Sequence, residues 1–310
     1  MKVIFVSSAN TGISPIVQAQ GQSLQKVGVD LSYFGVKGKG LIGYLSNLPK
    51  LRSWIQKTNP QVVHAHYSFC GIVSALATGK PVITSLMGSD VKSSGVWRIV
   101  IRFFVKYIWK ATIVKSDDMK SSLGVYTDRV HVIPNGVDLD VFKALDKFEC
   151  RHKVGWDESK RIVLFAANPD RYEKNFELAK KSFLKADIPN AELKVVYNIK
   201  HEDIPYYLCA SDVLISTSKW EGSPNIIKEA MACNIPVVST DVGDVSNLSQ
   251  GLDSMWICDA DPQRLSKAII KAMNFTGYVL SRDRIVKLGL DSVSVAENIQ
   301  QLYHEVLHVR

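Results

Sequence analysis

The sequence predicts an α/β protein made of two doubly wound, parallel-sheet domains. Short β-branched runs alternate with helical periodicity along the chain, which implies βα units whose sheets are covered on both faces. Those runs are apolar without alternation: Ile162-Val163-Leu164-Phe165-Ala166 contains no polar position, as a strand buried on both faces requires. The pattern starts twice, at Val3 and at Ile162, in a chain of 310 residues, a length that suits two ordinary domains.

In chain order, Met1-Lys2 precedes Val3-Ile4-Phe5-Val6. That run is too short for a leader and reads as the first buried strand. Further strands are expected at 31–35, 61–65, 81–85, 111–114 and 130–133. Helical periodicity occupies 45–57 and 97–110. Within the second of these, Arg98, Arg102, Lys106 and Lys110 recur every four residues, a basic stripe that drifts about 40° per step on a helix. Four charges in so short a run argue against a membrane span. Two readings stay open: a sheet-covering helix with a basic solvent face, or a helix that meets an anionic membrane surface, with Trp97, Phe103, Tyr107 and Trp109 nearby.

Pro134-Asn135-Gly136-Val137-Asp138 is a turn signal, and the polar stretch from Lys143 to Lys160 reads as a linker. Strands then follow at 161–166, 193–197, 212–216, 236–239 and 255–258, with helices at 175–186, 225–233 and 262–273. The expected domains are 1–146 and 147–292, followed by a helix in 293–310 that crosses back to the first domain or packs elsewhere.

Composition narrows the function. Apolar residues make up 46% and charged residues 22%, which excludes disorder, collagen and coiled coil as descriptions of the whole chain. The net charge is +8, but it is not evenly spread. Residues 1–149 hold 18 Lys and Arg against 9 Asp and Glu, whereas residues 150–310 hold 20 against 21. Such a split suggests halves with different partners. The five cysteines form no CxxC pair, so a zinc site or a disulfide framework is not expected, and a reducing compartment is.

The segment richest in chemistry is Ser218-Lys219-Trp220-Glu221-Gly222-Ser223-Pro224-Asn225-Ile226, followed by Ile227-Lys228-Glu229-Ala230. It lies between the carboxyl end of a parallel strand and the start of a helix, where ligands bind in open α/β sheets. Helix-start amides favour phosphates, and the small residues let a ligand approach the backbone. Glu221 and Glu229 bracket the turn, and carboxylates accept hydrogen bonds from vicinal diols. A phosphate cradle flanked by two diol acceptors suggests a nucleotide sugar; the bland alternative is an ordinary helix start beside an acid.

The segment resembles the Glu-x7-Glu motif of retaining glycosyltransferases, in particular family four, which has the GT-B fold of two Rossmann-like domains facing a cleft. The continuation Glu229-Ala230-Met231-Ala232-Cys233-Asn234-Ile235-Pro236-Val237-Val238, the loop Asp241-Val242-Gly243-Asp244 and the segment Pro134–Phe142 are similar to that family. So are His64-Ala65-His66 and Gly88-Ser89-Asp90. The resemblance implies that Glu221 holds donor-sugar hydroxyls and Glu229 the nucleotide ribose. Gly222, Ser223, Pro224, Asn225, Ile226 and Gly12 would line the donor. Lys174, in Asp170-Arg171-Tyr172-Glu173-Lys174-Asn175, fits the lysine that neutralises the diphosphate leaving group. The family usually has an arginine five residues before this lysine; Pro169 stands there, and Arg171 is the substitute candidate. His66, Asp90 and Asn135 fall on the acceptor side. Where many members have a histidine before the Gly-x-Asp loop, this chain has Met87, and its first loop has one glycine, Gly12, in place of a pair.

Asp138-Leu139-Asp140 and Asp259-Ala260-Asp261 are read as turn and cap residues, so no metal or other cofactor is expected. The resemblance therefore implies a retaining glycosyltransferase that moves a sugar from a nucleotide-sugar donor, UDP on family grounds, to a saccharide or lipid-linked acceptor. Cell-surface polysaccharide or glycolipid synthesis fits, at the cytoplasmic face of the membrane. No nucleic-acid partner is expected. The alternative is a non-catalytic GT-B subunit that binds a nucleotide sugar or a partner transferase.

Overall fold

The computed structural model describes residues 1–88, 90–91 and 95–308. The chain divides into two units, Met1–Gly136 with the segment from Ser292 onward, and Val137–Asp291.

The first unit is a six-stranded sheet, β1 (Lys2–Ser8), β2 (Asp30–Val36), β3 (Val62–His66), β4 (Val82–Ser85), β5 (Ala111–Val114) and β6 (Val130–Val132). The order is β2-β1-β3-β4-β5-β6, parallel throughout. Val3, Ile4, Phe5 and Val6 are fully buried in its middle, which is why that strand shows no polar alternation. Its helices are α1 (Pro15–Lys26), α2 (Gly40–Leu45), α3 (Leu48–Thr58), α4 (Ser68–Ala77), α5 (Val96–Phe103) and α6 (Asp117–Leu123). A π-helical turn, Phe104–Ile108, continues α5.

The second unit is a five-stranded parallel sheet. Its strands are β7 (Arg161–Phe165), β8 (Ala191–Val195), β9 (Val213–Ser216), β10 (Val237–Thr240) and β11 (Met255–Cys258), in the order β11-β10-β9-β7-β8. Its helices are α7 (Lys147–Val154), α8 (Phe176–Ala186), α9 (Ile204–Ala210), α10 (Asn225–Ala232), α11 (Val245–Ser249), α12 (Pro262–Met273) and α13 (Ser281–Lys287). Because β8 lies outside β7, the strand order reverses between β7 and β9. Ligands of doubly wound sheets sit at the carboxyl ends of such strand pairs.

The final helix, α14 (Ser292–His308), follows the second unit in sequence but packs into the first. Val295, Ala296, Ile299, Leu302, Tyr303 and Val306 join Phe5, Val17 and Leu24 in one core. Gln300 Nε2 donates to Val27 O at the end of α1 (2.9 Å).

The division falls ten residues earlier than the expected boundary at 146/147, at Gly136/Val137. The reason lies in the anchoring of 137–155. Val137 N donates to Leu290 O (2.9 Å). The Arg282 guanidinium bonds the carbonyls of Leu139 and Phe142, and Phe142 and Cys150 sit in the second core. The expected linker from Lys143 to Lys160 contains α7, started by Asp146 Oδ1 accepting from Glu149 N (2.9 Å). Its polar composition hides a buried Arg151, which donates to Asp212 and to the carbonyls of Ala210 and Glu158.

Candidate functional site

In the second unit, the loops that leave β7 and β9 are stitched together. Thr217 Oγ1 donates to the carbonyls of Lys174 (3.2 Å) and Asn175 (3.0 Å). Lys219 N donates to Glu173 O (2.8 Å). Residues Tyr172–Lys174 form a 3-10 turn, and Asn175 adopts φ 53° before α8 begins. These bonds bring Lys174 Nζ to 2.5 Å from Glu221 Oε1. Ser218 Oγ donates to the same oxygen (2.8 Å). Both members of the ion pair are partly buried, at the place where the strand order reverses.

Immediately beyond, α10 starts at Asn225 after Pro224, without a side-chain cap. Its first turn therefore presents backbone amides and the positive end of the helix dipole, an arrangement suited to phosphate. Gly222 and Ser223, ahead of the helix, are held by the loop after β10. Ser223 Oγ donates to Asp244 Oδ2 (2.6 Å). Gly243 has φ +62°, and a Cβ there would lie 2.5 Å from Gly222 O, so glycine alone permits the two loops to touch.

Beneath this turn Lys228 is completely buried. Burial pulls its amine down to about 8, against the opposing fields of Asp244 and Glu229. Burial likewise raises the Asp244 carboxyl, against Lys228 and the Ser223 hydroxyl. The charges of this group balance one another away from water.

Glu229 lies about one turn along α10 and is buried. Its Oε1 is 2.8 Å from His201 Nε2, and the His201 ring packs on Phe142, with centroids 5.1 Å apart. The hydrogen bond to Glu229 raises the His201 pKa above the ordinary histidine value, in spite of partial burial. The structure thus gathers Lys174, Glu221, Gly222, Ser223, Pro224, Asn225, Ile226 and Glu229 around one strand-to-helix turn and its neighbouring loops. It adds Ser218, His201, Lys228 and Asp244, which sequence reasoning did not assign to the site. His201 is 28 positions from Glu229 and carries no local motif that would announce the pairing. Arg171 turns the other way: its guanidinium is half exposed and bonded to Glu173.

The residues expected on the first unit have mixed fates. Gly12 is exposed on the loop after β1, with φ +94° and open space for at least 4 Å around the point a Cβ would occupy. Asn10 fixes that loop by exchanging two hydrogen bonds with the Gly38 backbone. Asp90 is buried, and its oxygens accept from the amides of Ser68 (3.1 Å), Met87 (2.9 Å) and Gly88 (3.0 Å). Burial raises its pKa, and those amides oppose the rise. Asp90 therefore ties the loop after β4 to the start of α4. Ser89, between them in sequence, lies outside the described residues.

His66 is buried and stacked on His64, with centroids 4.5 Å apart. Burial, helped by Lys115, pulls its pKa down to about 3, so the ring is neutral and belongs to the core. Asn135 is half-buried on the loop that leads out of the first unit. Arg98 and Arg102 of the basic stripe cap a neighbouring helix. Arg102 Nε donates to Leu123 O (2.7 Å) and Arg98 Nη2 to Ser122 O (3.4 Å), at the end of α6. Among the described residues, no group of three or more His, Cys, Asp and Glu could hold a metal ion. Among the same residues no helix is long and apolar enough to cross a membrane.

Comparison with known proteins covers both units. The family model described as Glycosyltransferase Family 4 matches residues 5–141, and that described as Glycosyl transferases group 1 matches residues 160–274. The putative teichuronic acid biosynthesis glycosyltransferase TuaC of Bacillus subtilis is 26% identical over 243 residues, 68% of this chain and 61% of that protein. The chain thus spans less than two thirds of the length of this relative. The UDP-Gal:alpha-D-GlcNAc-diphosphoundecaprenol alpha-1,3-galactosyltransferase of Escherichia coli is 24% identical over 315 residues, 86% of this chain and 81% of that protein. Among solved structures, Anabaena HepE in complex with UDP-glucose superposes with a TM-score of 0.79 at 16% identity, over 98% of this chain and 100% of that one.

Proposed function

Since the chain belongs to glycosyltransferase family 4 and has the GT-B fold, we propose that it transfers a sugar, with retention, from a UDP-sugar to a saccharide or lipid-linked saccharide acceptor. The single observation that carries this reading is the Lys174–Glu221 pair, 2.5 Å apart where the second sheet reverses its order, beside the uncapped start of α10. A cation and a set of amides suit a diphosphate. A carboxylate beside them suits sugar hydroxyls. Glu229, oriented by His201, suits a ribose diol. Two similarities support the choice of substrates. HepE was solved with UDP-glucose, and the Escherichia coli relative is named for a UDP-sugar and a diphosphoundecaprenol-linked acceptor.

In this reading the bond from the anomeric carbon to the diphosphate oxygen breaks, and the acceptor oxygen forms its new bond on the same face. Negative charge grows on the departing diphosphate, where Lys174 and the α10 amides counter it. The acceptor proton passes to a phosphate oxygen of the leaving group. Lys174 and the amides supply the positive charge, and the reaction as drawn needs no metal. Arg171 contributes only if it leaves Glu173. The first unit would hold the acceptor, with Asp90 shaping the loop after β4. The work would take place at the cytoplasmic face of a membrane, in cell-surface polysaccharide or glycolipid synthesis.

The test is a panel of UDP- and GDP-sugars, assayed for donor hydrolysis and for transfer to undecaprenyl-diphosphate-linked saccharides. Turnover with a UDP-sugar, lost in Glu229→Ala, is expected. Donor binding with no turnover under any acceptor would overturn the catalytic reading in favour of a sugar-nucleotide-binding subunit.

A further inference from the structure

Helix α5 and its π-helical continuation carry apolar residues on both the buried and the exposed face. Ile101, Val105 and Trp109 face the first core and are buried. The opposite face holds Val96 (72% exposed), Ile99 (70%), Phe103 (51%) and Tyr107 (59%). At about 100° per residue, Val96, Ile99 and Phe103 fall within about 60° of one another. A surface helix ordinarily turns polar residues outward. This one turns out a continuous apolar stripe.

The patch continues beyond the helix. Trp97 meets Phe69 edge-on, with centroids 4.8 Å apart, and Phe69 meets Tyr44 of α2 at 5.5 Å. On α2, Ile42 is 84% exposed and Leu41 also faces solvent. Both apolar edges are flanked by exposed lysines, Lys106 and Lys110 beside α5 and Lys37 and Lys39 ahead of α2. Arg102 does not belong to this ring, because its guanidinium caps α6.

We propose that α5 and α2 form a bilayer-insertion surface, with Ile99, Phe103 and Ile42 entering the boundary between headgroups and acyl chains and the lysines meeting anionic phosphates. The proposal deepens the lipid-linked acceptor reading and rests on it. Charge complementarity selects the partner. The first 149 residues hold twice as many Lys and Arg as Asp and Glu, and an apolar face ringed by lysines fits an anionic leaflet. Basic residues alone would give attachment that salt removes. Insertion adds a component that salt does not remove, since apolar burial is not screened.

The experiment is co-sedimentation of the full chain with phosphatidylcholine vesicles containing or lacking phosphatidylglycerol, at low and high salt. Wild type should bind the anionic vesicles and keep a salt-resistant fraction. Ile99→Asp with Phe103→Asp should weaken binding at least ~10-fold and abolish that fraction. Lys106→Glu with Lys110→Glu should weaken binding chiefly at low salt. Brominated lipid should quench wild type more than Trp97→Phe. Unchanged binding by the Ile99/Phe103 variant, with thermal unfolding intact, would overturn the proposal. So would a wild type that ignores vesicles, or a change from dimer to monomer in that variant with vesicle binding unaltered. Soluble donor hydrolysis is measured in parallel. A variant that still hydrolyses donor but no longer sediments isolates the surface. An inactive wild type that still sediments defeats only the catalytic reading.

Discussion

Lys174 Nζ and Glu221 Oε1 meet at 2.5 Å across 47 residues of sequence. The contact follows from topology. β7 and β9 pair directly, with Val163 opposite Val213, so the loops after them emerge side by side. The hydroxyl of Thr217 then fixes the backbone of Lys174 and Asn175. The pair holds each side chain in place; in the proposed reaction a diphosphate and a sugar hydroxyl would compete for it.

Replacing Lys174 by alanine should lower kcat by about 10²–10³-fold, the usual effect of losing one group that stabilises developing charge. Glu221→Gln keeps the hydrogen-bonding shape and loses the charge, so its loss should be smaller. The double variant should fall short of the product of the two single effects, because the residues are coupled. Single-turnover kinetics on the three variants checks this; strictly multiplicative effects would separate the two residues functionally.

His201 and Glu229 give the second unit a pH signature. Glu229 raises the folded-state pKa of His201, so protonated histidine favours the folded state. That stabilisation is complete below the unfolded value of about 6.5 and fades as pH rises through the folded value. Urea titrations of wild type and His201→Ala should differ most near about pH 6 and converge toward about pH 9. A difference that does not vary with pH would mean that the pair is not an ion pair.

How much of this was legible in sequence depends on what each residue touches. The eleven expected strands overlap the observed ones, because strands buried on both faces leave unbroken apolar runs such as Ile162–Phe165. Glu221 and Glu229 were visible through their spacing on one strand-to-helix turn. His201 was not, because it comes from the loop after β8 and meets Glu229 only once β7 and β9 have brought the loops together. Arg102 repeated with helical period and so read as part of a solvent stripe; periodicity says nothing of the α6 carbonyl that receives it. Arg151 made α7 look like a linker, since composition cannot tell a solvated arginine from one saturated by Asp212 and two carbonyls.

Gly243→Ala tests the stitching of the turn that precedes α10. A Cβ would meet Gly222 O at 2.5 Å, in a backbone conformation of φ +62°. Strain of this kind costs about 1–3 kcal/mol. The backbone of Gly222 and Ser223 should move away from Asp244, so donor affinity should fall along with Tm. Isothermal titration with the UDP-sugar that the donor panel selects measures the first and calorimetry the second. Unchanged affinity would show that the two loops need not touch for binding.

Tyr303 locks the last helix to the first unit, and its removal should be felt there alone. Its ring is fully buried, and its hydroxyl lies 2.6 Å from His64 Nδ1, while His64 Nε2 lies 2.8 Å from Ser85 Oγ. Burial, with His66 and Lys115 adding to it, pushes the His64 pKa well below the ordinary value. The ring is therefore neutral, with one donor and one acceptor nitrogen, and each is paired. Tyr303→Phe leaves one of them buried without a partner, at a cost of about 1–3 kcal/mol. The loss should appear in the calorimetric transition of the first unit, with the transition of the second unchanged, because the buried face of α14 belongs to the first core. Acid should act on the same place. A histidine with a depressed folded-state pKa contributes stability that is present above about 6.5 and lost as pH falls, and His66 extends that window down to about 3. The first unit should thus be the acid-labile one, losing stability over a range where His201 supports the second. A first-unit transition insensitive to both Tyr303→Phe and acid would show that α14 is held by its apolar face alone.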